Sequence, residues 1–352
     1  MKQMYYASRF ARPLSKADLQ EIQDSAHRNN DKWEITGFLV SLGNTFFQVL
    51  EGPAATVDRL YYERIVPDER HEDVLCLKTE LDVQERMFPG WKMKVFNLNE
   101  ATESLPFAFR QILTSLVESH RAIAEYTQPS ILKMLEQGIS PTSVRPRREC
   151  VTVLYSDIIG FSRFAEHLAP RDLIGLVNSH AEVCSTHIAA NNGQVNKLTG
   201  DGVLAYFPGL TSDDALEASL AILAEMARRR TTAGETSPHR YLYVGVGLAH
   251  GLVFEGNVGS PLKRDFTILG NTVNLAARIE SLTRDLNVRL NIDESVVLSA
   301  KREHPFKSLG KHQLKGQSKA LELYTLGSLS SLDIGEVYQS IEDFVARYPE
   351  QG

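Results

Sequence analysis

Only three cysteines occur in the 352 residues, Cys76, Cys150 and Cys184, far apart and odd in number. Such a set excludes a disulfide framework and the Cys-x-x-Cys spacing of a zinc site. Long hydrophobic runs are also missing: the most apolar stretch, residues 215–227, is broken by Glu217 and Glu225, so no membrane span is expected. The amino-terminal residues Met1-Lys2-Gln3-Met4-Tyr5-Tyr6 lack the apolar core of a secretory signal, and a cytoplasmic protein is expected. A basic excess is absent as well. Lysine and arginine number 38 against 44 acidic residues, a formal charge of −6, which argues against a nucleic-acid binder. What remains is ordinary for a globular chain, with 43% hydrophobic and 23% charged residues, no repeat and no low-complexity tract.

At this length two or three domains are expected. The best boundary lies at Gly138-Ile139-Ser140-Pro141 through Arg145-Pro146-Arg147-Arg148, where two prolines, a glycine and three arginines separate a helical pattern from a β-branched run. Before it, the pattern predicts a strand at Met4–Ala7 and a helix after Ser15. Strands follow at Ile35–Leu42 and Thr45–Leu50, joined as a hairpin at Gly43-Asn44, then a helix over about Thr56–Ile65. Two more strands, Val74–Lys78 and Trp91–Phe96, complete a βαββαββ order, which suggests an α+β sandwich of ferredoxin-like type. Phe109, Ile112, Leu113, Leu116 and Val117 mark an amphipathic helix, and Ile131–Leu135 another. After the boundary, strands are expected at Val151–Tyr155, Gln194–Leu198, Val203–Phe207, Tyr241–Ala249 and Leu252–Gly256, with short ones near Val288–Ile292 and Leu321–Tyr324. Helices are expected at Pro170–Ala190, Asp213–Arg229 and Val273–Leu282. This half is again α+β, with a larger sheet.

In the second half, Asp157 ends an apolar strand and is followed by Ile158-Ile159-Gly160-Phe161. A carboxylate there can hold a hard cation over a turn whose N–H groups face phosphate. Asp201 lies at a hairpin tip between Gly200 and Gly202. Two such carboxylates suit two Mg²⁺ ions bridging substrate phosphates, although an aspartate beside glycine is by itself an ordinary turn former. Asn271 is expected to cap a helix on which Asn274 and Arg278, four residues apart, share a face.

Tyr155-Ser156-Asp157-Ile158-Ile159-Gly160-Phe161, then Lys197-Leu198-Thr199-Gly200-Asp201, then Thr267 through Arg278 together resemble a class III nucleotide cyclase catalytic domain over about Cys150 to Gly327. The resemblance implies a central, mostly antiparallel sheet, metal binding by Asp157, Asp201 and the Ile158 carbonyl, and substrate contacts from Gly160 and Phe161. It implies that Lys197 and Thr267 read the purine, as in adenylyl cyclases, where guanylyl cyclases carry Glu and Cys. Asn274 and Arg278 are the implied catalytic pair, and Lys315 the triphosphate lysine. Tyr155 stands where many members have Phe, and Gly270-Asn271 where many have Gly-Asp. Family sites form between two catalytic domains, so a homodimer is implied.

In the first half, Gln48 is a lone amide in the apolar strand Phe46-Phe47-Gln48-Val49-Leu50 and needs a partner if buried. Tyr6-x-Ser8, Asn29-Asn30 with Ile35-Thr36-Gly37, the Gln48 strand, Arg64-Ile65-x-x-Asp68-Glu69-Arg70-His71 and Arg86-Met87-Phe88-x-x-Trp91-x-Met93 resemble a BLUF domain, a blue-light sensor using flavin. The resemblance implies FMN or FAD as cofactor, Tyr6 as electron donor and Gln48 as the switching amide. It further implies Asn30, Arg64 and Asp68 as ring holders, and Trp91 and Met93 as reporters.

The whole chain is similar to bacterial photoactivated adenylyl cyclases. The implied layout is a BLUF sensor at 1–98, a helical linker at 99–149, a cyclase domain at 150–327 and a helical tail at 328–352. The implied activity converts ATP to 3′,5′-cyclic AMP and pyrophosphate by two-metal in-line attack of the ribose 3′-OH, with Mg²⁺ or Mn²⁺. A light-regulated guanylyl cyclase, or a sensor with a catalytically weak cyclase-like domain, is the alternative. Tyr126 is either a relay residue of the linker or a half-buried aromatic.

Overall fold

The computed structural model describes residues 1–10, 16–42, 45–97, 115–121, 123–260, 263–314, 320–329 and 331–348. The chain divides into two compact units, Met1–Ser143 and Val144–Gly352.

The first unit is built on strands β1 (Lys2–Phe10), β2 (Thr36–Leu42), β3 (Thr45–Gly52), β4 (His71–Glu80) and β5 (Lys94–Asn97). Their order is β4-β1-β3-β2-β5, antiparallel except where β5 runs parallel to β2. The first four strands thus have the ferredoxin-like arrangement expected, with β5 added at the edge. Alternation along β3 sends Phe46, Gln48 and Leu50 to one face, and there Phe46 and Leu50 join Met4, Tyr6, Leu19, Val57 and Tyr61 in the core. The helices are Lys16–Lys32 and Ala54–Leu60, the latter widening into a π turn over Tyr61–Ile65. A further helix, Pro129–Glu136, follows Gln128, with Pro129 in its first turn, where a missing N–H costs nothing. The expected cap Ser15, the Gly43-Asn44 joint and Phe109, Ile112 and Leu113 lie outside the described residues, whereas Leu116 and Val117 lie in a helical segment at 115–121.

The second unit carries β6 (Arg147–Ile158), β7 (Gln194–Thr199), β8 (Gly202–Pro208), β9 (Val244–Gly259), β10 (Arg264–Leu269), β11 (Leu290–Asp293), β12 (Phe306–His312) and β13 (Leu321–Leu326). The order is β12-β13-β11-β9-β6-β8-β7, with β10 also on β9, and only β9–β11 is parallel. Helices Pro170–Ala190 and Asp213–Thr232 bury Leu176, Val183, Ile222 and Met226 with Leu154 and Ile158 on one face. Helix Asn271–Ser281 covers the other, packing Leu275 and Ile279 on Val153 and Ala249. That approach requires Gly247, where a Cβ would stand 2.4 Å from the Ala276 carbonyl oxygen.

The structure departs from expectation at several points: Tyr126, read as a relay residue or a half-buried aromatic, is 91% exposed, and the strand expected at Trp91–Phe96 starts only at Lys94. The two strands expected at Tyr241–Ala249 and Leu252–Gly256 are one strand, because β6 pairs continuously from Ile158–Val244 to Arg147–Glu255. Gly270, not Asn271, is the cap residue of its helix, and Asn271 is the first helical residue. Strands β10 and β12 were not expected; β10 opens on the charged pair Arg264-Asp265 with only a short apolar stretch, and β12 carries Lys307, Gly310 and Lys311 among few apolar residues. The tail is helical over Ile334–Val345, and Ile334, Val337, Ile341 and Phe344 are buried in the same core as Ile159 and Phe164. Among the described residues no helix is long and apolar enough to cross a membrane.

Candidate functional site

The end of β6 and the β7–β8 hairpin bring Asp157 and Asp201 to one pocket of about 370 Å³, together with Ile158, Gly160, Phe161, Ser162, Arg163, Arg284 and Tyr338. Gly160 precedes helix Phe161–His167 at φ +77°, a left-handed conformation that turns the chain so that this helix starts at the pocket. Burial, and then the neighbouring Asp157 carboxylate, push the Asp201 carboxyl up to about 7. Hard oxygen donors that repel each other in a part-buried pocket fit a divalent cation. Among the described residues no cluster of three or more His, Cys, Asp or Glu side chains forms a metal cage. A Mg²⁺ ion here would therefore complete its shell from backbone, water and substrate phosphates, as that ion usually does.

Three neighbours shape the pocket and carried no sequence signal of their own. His180, buried on helix Pro170–Ala190, bonds the Asp201 carbonyl and the Ser156 hydroxyl. Arg284 pairs with Asp157 at 3.4 Å and with buried Glu280 at 3.3 Å. Tyr338 arrives from the tail helix. The Tyr155 hydroxyl bonds Thr199 Oγ1 at 2.9 Å, bracing the hairpin, so tyrosine in place of phenylalanine has a local use.

Asn274, Arg278, Lys197 and Thr267 do not line this pocket. Asn274 is exposed and Arg278 and Lys197 half-buried, while Thr267 is buried and donates its hydroxyl to Asn196 Oδ1 at 2.7 Å. Lys315 lies outside the described residues. Around the β9–β10 hairpin, Leu252, Phe254 and Leu269 are exposed, as is Leu198 at the end of β7. Phe254 and Leu269 are register partners, so they form a contiguous apolar surface.

The first unit holds a cavity of about 620 Å³ against the sheet face that carries Tyr6 and Gln48. Tyr6, Asn30, Gln48, Arg64, Asp68 and Met93 all line it, between apolar walls from Ile22, Phe46, Leu60 and Ile65. The Tyr6 hydroxyl donates to Gln48 Oε1, and Gln48 Nε2 points at Met93 Sδ, 3.4 Å away. Complete burial raises the Tyr6 phenol pKa, so it stays protonated. Asn30 Nδ2 donates to the Lys92 carbonyl at 2.7 Å. Asp68 accepts from Arg70 at 3.0 and 2.6 Å, which holds its carboxyl below the usual range. Flat apolar walls with amides and charges at the rim suit a conjugated heterocycle such as a flavin ring. Trp91 does not line the cavity; it stacks on Phe88 with ring centroids 4.9 Å apart.

Glu51 is a further residue that the sequence reasoning passed over. Its carboxylate is buried and accepts from Gln3 Nε2 at 2.5 Å and from the Met87 and Phe88 N–H groups, each at 2.9 Å. The lone acid after Val49-Leu50 was the available signal, as the lone amide was for Gln48.

Residues 1–94 match the BLUF family, sensors of blue light using FAD, and residues 144–328 match the adenylate and guanylate cyclase catalytic domain. Photoactivated adenylate cyclase subunit beta of Euglena gracilis is 30% identical over 295 residues, which are 83% of this chain and 34% of that one. Its counterpart in Euglena longa has the same identity and coverage, so the chain spans about a third of these curated relatives. A solved bacterial light-regulated adenylyl cyclase is 37% identical and superposes with a TM-score of 0.90 over 98% of this chain and 100% of that one. With both halves matched, the chain belongs to the adenylate and guanylate cyclase catalytic-domain family, in the light-regulated branch that joins this domain to a BLUF sensor.

Proposed function

We propose that the protein is a blue-light-activated adenylyl cyclase that converts ATP to 3′,5′-cyclic AMP and pyrophosphate. The observation that carries the reading is the convergence of Asp157 and Asp201 beside the Gly160 turn in one pocket. On this reading, residues 1–98 are the sensor, 99–149 the linker, 150–327 the catalytic domain and 328–352 a helical tail.

Asp157, Asp201 and the Ile158 carbonyl would hold two Mg²⁺ or Mn²⁺ ions, which would supply a lowered pKa at the ribose 3′-OH and neutralisation of phosphate charge. The turn at Gly160 and Phe161 offers backbone N–H groups to phosphate oxygens. Asn274 orients the ribose and Arg278 stabilises charge at the α-phosphorus, while Lys315 binds the triphosphate. Lys197 and Thr267 select adenine. Because Asn274 and Arg278 do not line the pocket of their own chain, they serve the pocket of a second copy, in a homodimer with two equivalent sites. The exposed register pair Phe254 and Leu269, with exposed Leu252 two residues earlier on β9, supports that association.

In the sensor, FMN or FAD would lie among Asn30, Arg64, Asp68 and the apolar walls, and it supplies the absorption of blue light. The Tyr6–Gln48–Met93 chain is the two-state element: turning over the Gln48 amide exchanges its oxygen and nitrogen between the two neighbours. Met93 and Trp91 lie just before β5 and at its foot, and so pass the change to the sheet edge.

The test is direct. Purified protein assayed with ATP and GTP in light and dark should form cyclic AMP, faster in blue light. Asp157→Asn should remove at least 99% of that activity while the far-ultraviolet circular dichroism stays native. Undiminished turnover in Asp157→Asn, or preference for GTP, overturns the assignment.

A further inference from the structure

We propose that Arg284 is a phosphate-binding residue of the nucleotide pocket, anchored by Glu280 and paired with Asp157 until metal and triphosphate take its place. The proposal rests on the reading of Asp157 and Asp201 as metal ligands and deepens it.

Arg284 follows helix Asn271–Ser281 and lines the same pocket as both aspartates and the Gly160 turn. One edge of its guanidinium is fixed. Nη1 donates to Glu280 Oε2 at 3.4 Å and lies 3.3 Å from Oε1, and Glu280 is only 2% exposed. That carboxylate lies against the bare backbone of β9 at Gly245, where a Cβ would come within 2.5 Å of Oε1, so it has little room to swing. The other edge carries Nη2, 3.4 Å from Asp157 Oδ2. Both bonds are long for charge-assisted ones, but Glu280 is walled in whereas Asp157 opens on the pocket, so the Asp157 pairing is the one a divalent cation can displace. The other arginine in the lining, Arg163, is engaged elsewhere: it bonds Glu342 and lies over the Tyr338 ring, 4.9 Å from its centroid.

A planar guanidinium with one edge held and one edge open matches the paired oxygens of a polyphosphate. Divalent cations bound to Asp157 would remove its need for Arg284 and free Nη2 for phosphate oxygens at the Gly160 turn. Arg284 therefore competes with the metal when nucleotide is absent and cooperates with it when phosphate is present. A residue of purely structural value would have neither property.

The experiment is calorimetric titration of the full-length protein, first with Mn²⁺ alone and then with inorganic tripolyphosphate at saturating Mn²⁺. Arg284→Gln should bind Mn²⁺ at least threefold more tightly and tripolyphosphate at least tenfold more weakly. Arg284→Lys, which keeps the charge but loses the planar fork, should leave Mn²⁺ affinity within twofold and weaken tripolyphosphate severalfold. Unchanged tripolyphosphate binding in both variants, or equal weakening of both ligands, overturns the proposal. Asp157→Asn separates this from the underlying reading. If Asp157→Asn leaves Mn²⁺ affinity intact, the metal assignment fails; if it abolishes Mn²⁺ binding while the Arg284 variants behave as wild type, only the role of Arg284 fails.

Discussion

His180 donates its Nδ1–H to the backbone carbonyl of Asp201 at 2.9 Å, while its Nε2 accepts from the Ser156 hydroxyl at 2.9 Å. A carbonyl oxygen can only accept, so the Nδ1 tautomer is dictated by the partner. One imidazole thus ties the strand that ends in Asp157 to the turn that presents Asp201.

That arrangement holds only for neutral imidazole, and burial depresses the His180 pKa from 6.5 to about 4. The unfolded chain therefore binds the proton more tightly. The stabilisation is complete above about pH 6.5 and is lost as the pH falls toward 4, worth about 3 kcal/mol at roughly 1.4 kcal/mol per unit. Chemical denaturation from pH 7 to 4 should show this dependence in the wild type and lack it in His180→Leu. Parallel curves for the two proteins would refute it.

Gly160 and Gly200 both have left-handed backbones, at φ +77° and +71°. A Cβ on Gly160 would also stand 2.8 Å from Ile341 Cδ1 of the tail helix, whereas a Cβ on Gly200 would meet nothing within 4 Å. Alanine at Gly200 should cost about 1 kcal/mol of stability, from backbone strain alone. Gly160→Ala should cost about 2 kcal/mol, more than at Gly200, and lower cyclase activity, because the Ile341 and Tyr338 side chains must repack around the added methyl beside the pocket. Equal midpoints in thermal unfolding of the two variants would dismiss the contact with Ile341.

Glu51 holds the Met87–Phe88 backbone that leads into Trp91 and Met93, yet it does not line the flavin cavity. Glu51→Gln keeps the shape but exchanges an acceptor for a donor that the two N–H groups cannot use. The variant should bind flavin and respond to light, with recovery in the dark at least threefold faster, as followed by absorption spectroscopy. Wild-type recovery would mean that the clasp has no part in the switch.

The proposed sharing of the active site between two copies makes an arithmetic prediction. Asp157→Ala and Arg278→Ala should each be inactive alone. Random pairing of equal amounts makes half the dimers mixed, each with one intact site, so activity should return to about a quarter of the wild-type level. No recovery after the subunits are mixed under exchange conditions would argue that each chain builds its site alone.

Much of the architecture was legible because its signals are local. The β3 alternation, the Pro170–Ala190 helix and the hairpin around Asp201 follow from neighbours two to four residues apart. The contributions of His180 and Arg284 to the pocket were not legible, since each depends on a partner at least 21 residues away that only folding supplies, and the lone acid Glu51 gave no hint of its Met87 and Phe88 partners.

The scarcity of cysteine and of long apolar runs argued against disulfide scaffolds and membrane helices, and spaced motifs named the residues on which the proposed metal and flavin chemistry rests. The sequence determined this much by itself, because composition and short-range spacing limit which elements can form. Tertiary structure alone decided which further residues join the expected Asp157 and Asp201: Arg284, and Tyr338 from the tail helix, in the pocket lining, and His180 behind it. Those outcomes depend on how β6, the β7–β8 hairpin and the tail helix pack together, and close packing brings together residues that no local pattern pairs.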